Sequence, residues 1–85
     1  MEQSWGSAAY KAAIVALADA RRSRGVSQRE LARRLGKPPS FVNKIENLER
    51  RLDILEFVAI AQGLHVKPAV LLDELLVQLP AGWTE

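Results

Sequence analysis

The side chains able to do chemistry in this chain are cationic and amidic rather than catalytic. There is one histidine, His65, and no cysteine. The ten acids are scattered or sit at helix starts, and no glycine-rich phosphate loop occurs. Nothing here assembles a nucleophile with its base or a metal-ligand cluster, so the expectation is no enzyme, no metal, no cofactor and no small-molecule ligand. The cations, by contrast, are concentrated. Between Ala20 and Arg51 lie ten Lys/Arg against three acids, a local charge of +7 in a chain whose net charge is +2. The segment from Leu52 to Glu85 carries −4 and the first nineteen residues −1. A basic middle beside an acidic end fits one face meant for a polyanion and another kept away from it. The same charges also fit an ordinary solvated helix surface.

Positioning such side chains requires a framework, and 85 residues with 48% apolar content can bury one core in a single domain spanning residues 1–85. The absence of cysteine leaves out disulfides and fits a reducing cytoplasm. The longest apolar run, Ala12 to Ala18, is far short of the roughly 20 residues that span a bilayer. The first five residues show no basic stretch leading into an apolar block. A cytoplasmic protein without membrane contact is expected.

Every segment reads as helix, with no strand alternation and no hairpin turn signal. Tyr10, Ile14, Leu17 and Arg21 recur at helical spacing from about Ser7 to Arg24, where Gly25 supplies a C-terminal stop. Ser27-Gln28-Arg29-Glu30 is a capping box, and Val26 with Leu31 is its hydrophobic staple. That second helix ends near Leu35-Gly36 and turns Leu31, Ala32 and Leu35 inward. A third helix is expected from Pro39, a residue suited to the first helical position because its missing N–H would be unbonded there. It turns Val42 and Ile45 inward, places Phe41 at the core edge, and leaves Ser40, Asn43 and Lys44 outside. Asp53 and Glu56 cap a fourth helix with Phe57, Val58 and Ala61 on its core side and Gly63 closing it. A fifth opens near Pro68 and runs toward Pro80. The termini carry Trp5 and Trp83, either of which can pack on the domain or on a partner.

Two short capped helices joined by a tight turn form a helix-turn-helix arrangement, which lets the second helix protrude. The run SQRELARRLGKPPSFVNKIENLERRLDILEFVAIAQGL resembles the lambda-repressor-like, or xenobiotic-response-element (XRE), helix-turn-helix regulators. The residues that carry the likeness are Ser27-Gln28, Glu30-Leu31-Ala32, Leu35-Gly36, Val42 and Ile45-Glu46. The resemblance implies an all-α, five-helix lambda-repressor-like domain whose helix-turn-helix core spans about residues 27–47. It implies a sequence-specific transcriptional regulator, by default a repressor, that binds a palindromic operator in double-stranded DNA as a homodimer. Pro39, Ser40, Asn43 and Lys44 match positions facing base edges or nearby phosphates. Gln28 matches a phosphate contact at the start of the second helix, and Asn47, Arg50 and Arg51 match contacts to phosphate or the flanking minor groove. Arg29 and Lys37 join that flanking set, although Arg29, Arg33 and Arg34 serve equally well as helix formers on a wet surface. Arg21 and Glu46 match a buried ion pair tying the first helix to the third. The last helix and tail, about residues 68–85, are the expected dimer surface.

Two positions depart from the family pattern. Pro39 stands where relatives often have glutamine, so a direct base contact is missing there and shape readout would have to compensate. Leu48 stands where relatives usually have glycine. Either the loop relaxes to avoid strain, or Leu48 adopts a positive φ while burying its side chain. Two other functions fit the same sequence: the antitoxin of a toxin–antitoxin pair, or a protein-interaction module that has lost DNA binding.

Overall fold

The computed structural model describes residues 4–83, with side chains from residue 8 onward. The chain ends and the Trp5 side chain lie outside the described residues. Helix α1 (Ser4–Ser23) is rich in alanine, so other helices approach its backbone closely. Ala9, Ile14, Ala16, Leu17, Ala18 and Ala20 are all buried. Helices α2 (Gln28–Arg34), α3 (Phe41–Glu46), α4 (Ile54–Gly63) and α5 (Pro68–Leu76) follow. Helix α1 packs on α3 and α5, α2 on α3 and α4, and α4 on α5. Leu31, Ile45, Ile60 and Leu71 are the largest fully buried side chains. Each comes from a different one of the four shorter helices. No strand occurs among the described residues, and the architecture is the all-α helix-turn-helix fold that the sequence implies. No single described helix is long and apolar enough to cross a membrane.

The turns repeat one device. At the end of α1 the Val26 N–H donates to the Arg21 carbonyl, and the Gly25 N–H to that of Arg22. This is the Schellman pattern, which needs a left-handed residue just past the helix. It recurs around Gly36, Leu48 and His65, where Lys37, Glu49 and Val66 donate back to Ala32, Lys44 and Ala61. Gly25 and Gly36 have positive φ, as expected, but so do Leu48 (φ 65) and His65 (φ 59). The loop at Leu48 has therefore not relaxed. Nor is its side chain buried, being 44% exposed.

His65 also corrects the end of α4. Gly63 is a helical residue, and the left-handed position falls two residues later. Gly63 is needed for space instead: a Cβ built on it would lie 2.8 Å from the tips of both Leu31 and Leu35. The buried face of α4 is likewise set by Ile60 and Ala61, with Phe57 and Val58 only partly covered.

Two start signals differ in completeness. At α4 the capping box is full: the Glu56 N–H donates to the Asp53 carboxylate, and the Asp53 N–H donates to Glu56. At α2 only half forms. The Ser27 hydroxyl accepts from the Glu30 N–H, while the Glu30 carboxylate turns outward to Arg33 and Arg34. Two arginines in the following turn outcompete one backbone donor.

Candidate nucleic-acid interface

Helix α3 begins at Phe41, two residues later than the sequence reading placed it. Pro38 and Pro39 have no N–H, and Pro39 disfavours helical backbone at Pro38. The tandem prolines and Ser40 instead form a turn closed by the Phe41 N–H on the Pro38 carbonyl. Pro39 and Ser40 are exposed at the entrance to the helix, and the Ser40 side chain makes no cap. Phe41, Val42 and Ile45 sink into the core. With one face so anchored, the opposite face of a six-residue helix can only point outward. Asn43 and Lys44 stand there, exposed.

Beneath this face runs a polar ladder. Arg21 donates from Nε to Glu46 Oε2 at 2.7 Å and from a terminal nitrogen to Oε1 at 3.0 Å. A third nitrogen donates to the Val26 carbonyl at 2.8 Å. Both side chains of this ion pair are only 8% exposed. Gln28, the first residue of α2, donates to Glu46 Oε1 at 2.7 Å. Asn43 donates to the Gln28 side-chain oxygen at 3.3 Å, and Asn47 donates to that of Asn43 at 3.1 Å. Burial opposes ionisation of Glu46, yet the hydrogen bonds from Arg21 and Gln28 and the charge of Arg21 prevail, holding its carboxyl below the usual range.

The cations around α3 divide into two groups. Arg50 grips the Glu56 carboxylate at 2.8 and 2.6 Å and lies 4.9 Å over the Phe41 ring. Lys37 approaches the same ring at 5.3 Å, and Arg51 lies 4.4 Å over Tyr10. Tyr10 in turn accepts the Leu52 N–H through its hydroxyl, fastening the loop after α3 to α1. Arg29 and Lys44 have no ion-pair partner among the described residues. Across the whole basic segment, six of the ten cations hold a carboxylate: Arg21, Arg22, Arg24, Arg33, Arg34 and Arg50. Two of those carboxylates, Glu56 and Glu74, come from the acidic end of the chain. The +7 of the linear sequence is thus much reduced at the surface.

A family model described as helix-turn-helix matches residues 17–71, from the last two turns of α1 through α2, α3 and α4 to the start of α5. The chain belongs to the XRE-like helix-turn-helix family. An XRE-family-like protein from Pseudomonas syringae pv. tomato str. DC3000 has the same fold, with a TM-score of 0.75 and 46% identity over 86% of this chain and 89% of that one. No curated protein matches the sequence significantly. As an XRE-like protein the chain is a DNA-binding helix-turn-helix regulator.

Of the residues singled out from the sequence, Gln28, Asn43 and Asn47 join one hydrogen-bonded chain with Arg21 and Glu46. Lys37 and Arg50 gather on Phe41. Arg51 sits on Tyr10, and Arg29 stands apart on the exposed side of α2. Sequence reasoning missed that Gln28 is held by Glu46 and that Arg50 is held by Glu56. The first has a signal, since a glutamine at the start of α2 faces whatever the end of α3 carries. The second has none, because Arg50 lies in an irregular loop whose path no periodicity reveals.

Proposed function

We propose that this XRE-like protein is a transcriptional repressor that binds a palindromic operator as a C2 dimer, with α3 in the major groove. The observation that carries this reading is the exposed Asn43–Lys44 pair on a short helix whose other face is locked into the core. A helix with its side chains is about 10–12 Å across and the major groove is about 12 Å wide, so such a helix fits. Asparagine matches the donor–acceptor edge of adenine, and lysine the acceptors of guanine. Pro39 and Ser40 meet the groove wall at the entrance to α3. Gln28, which keeps a second N–H beyond the one given to Glu46, Arg29, Lys37, Asn47, Arg50 and Arg51 face the flanking phosphates. Arg21 and Glu46 hold the reading helix to the bundle.

A single copy offers few base contacts, and a second copy on the same DNA face doubles them. The surface for it lies on α4 and α5. Ile54 and Leu55 are 78% and 76% exposed at the start of α4, one loop away from α3. Ile54 borders an apolar groove completed by Phe57, Val58, Pro68, Ala69 and Leu72. This extends the expected dimer surface of residues 68–85 back to the start of α4. The cytoplasm is the compartment in which such a regulator meets its DNA.

Selection from randomised duplexes, with sedimentation of the bound species, tests the proposal. The expected result is an inverted repeat with half-sites about 34 Å apart along the helix axis, bound by two copies. Recovery of no preferred sequence would overturn the reading.

A further inference from the structure

The polar ladder under α3 has a direction, and that direction is imposed from its buried end. An ionised carboxylate accepts hydrogen bonds and donates none. Glu46 is kept in that state by the two Arg21 nitrogens on its oxygens. Gln28 must therefore turn its NH₂ inward to Glu46, which leaves its carbonyl oxygen outward. Asn43 must meet that oxygen with its own NH₂, so its carbonyl turns to the Asn47 NH₂. Three amides in succession are oriented by one carboxylate. An unrestrained asparagine can exchange its oxygen and nitrogen by a half-turn about its last torsion, presenting either sense of the donor–acceptor pair to a base edge. Here the half-turn would set the Asn43 carbonyl against the Gln28 carbonyl, whose sense Glu46 fixes, and its NH₂ against that of Asn47 unless Asn47 turned with it.

We infer that Gln28 and the Arg21–Glu46 pair act as positioning residues that fix the amide sense of Asn43, and thereby the base pair read opposite the middle of α3. The inference rests on the DNA-binding reading above and names a determinant of its specificity. Each amide NH₂ carries two hydrogens and each amide oxygen two lone pairs. Asn43 therefore still has one of each for a base edge after satisfying Gln28 and Asn47. The Asn43–Gln28 link, at 3.3 Å, is the longest of the series and leaves room for the asparagine to adjust to a base without reversing.

The test is duplex selection with wild type, Asn43→Ala, Gln28→Ala and Glu46→Gln, each checked for cooperative thermal unfolding. Asn43→Ala identifies the base pair concerned as the position where preference disappears. Gln28→Ala keeps both Arg21–Glu46 contacts and removes the Gln28 links to Glu46 and Asn43 together with its phosphate contact, whose loss lowers affinity for every duplex alike and does not alter preference. At that same position its preference should fall by about tenfold, the discrimination of one good base contact, with preferences elsewhere kept. Glu46→Gln, in which the carboxylate becomes an amide of either sense, should broaden the same position. If Gln28→Ala weakens binding to every duplex alike and leaves the preference at the Asn43 position unchanged, Gln28 is a phosphate contact only and the inference is overturned. If wild type itself selects no sequence, the DNA-binding reading fails and the inference falls with it, a result that no variant arm imitates.

Discussion

Leu48 holds a left-handed backbone with a side chain still 44% exposed, so burial offsets the strain only in part. A left-handed L-residue costs roughly 1–2 kcal/mol, and the entropy glycine adds to the unfolded chain takes back about 0.5–1. Leu48→Gly should therefore stabilise the protein by up to about 1 kcal/mol, measured as a raised urea midpoint with an unchanged slope. At the reading surface, Asn43→Ala and Lys44→Ala should each weaken binding to the selected operator by roughly 1–3 kcal/mol while leaving the melting temperature in place. Titration of operator duplex against each variant checks this. The residue scale is where the sequence was most legible for direction and least for partnership. Helical spacing was enough to put Val42 and Ile45 inward and Asn43 and Lys44 outward. It put Gln28 at the start of α2 and Glu46 at the end of α3, but the turn between the helices decides that the two side chains touch.

At the scale of elements, the five helices were legible from apolar spacing and from caps, and Asp53–Glu56 marked the start of α4 correctly. The errors fell where two physical demands met at one position. Tandem prolines read as a helix start, yet Pro39 and Ser40 form a tight turn closed by the Phe41 N–H on the Pro38 carbonyl, and regular α3 begins only at Phe41. Gly63 read as a stop, yet it is the last helical residue of α4 and the left-handed position falls at His65; Leu31 and Leu35 crowd the place a side chain would take. Its replacement distinguishes the two roles. In an exposed helix Gly→Ala gains about 1 kcal/mol, whereas overpacking a core typically costs 1–3 kcal/mol. Leu31 is fully buried and its tip has little room to move. Gly63→Ala should thus destabilise the protein by about 1 kcal/mol or more, seen as a lowered thermal midpoint. A higher midpoint would show that α2 and α4 can part without cost.

For the whole molecule, four carboxyls are held below their ordinary range. Hydrogen bonds from Arg33 and Arg34 bring Glu30 to about 2, and that from Arg50 brings Glu56 to about 2; Glu46 and Glu74 are also lowered. A carboxyl whose value in the fold lies below its unfolded value binds fewer protons when folded. Its stabilisation is complete above the ordinary value of 4.5 and drains away as pH falls through the folded value. Stability to urea should therefore hold from neutrality to about pH 4.5 and decline toward pH 2. The exposed pairs contribute little of this. Glu46 is buried, and Glu46→Gln should narrow the difference between pH 7 and pH 3. The charge pattern of the linear sequence was legible as a basic middle and an acidic end, but not the folding of one onto the other through Arg24–Glu74 and Arg50–Glu56. That closure makes association with a nucleic acid an ion exchange. A phosphate that takes Arg50 must displace Glu56, so the counterion it frees from the duplex is offset in part by the cation the released carboxylate gathers from the buffer. Only Arg29, Lys37, Lys44 and Arg51 near α3 hold no carboxylate to surrender. With Lys44 spent on a base, Arg29, Lys37 and Arg51 at about 0.9 per phosphate neutralised, and Arg50 in part, should give a log–log dependence of affinity on salt with a slope of roughly −3 per subunit, well short of what seven excess cations would give.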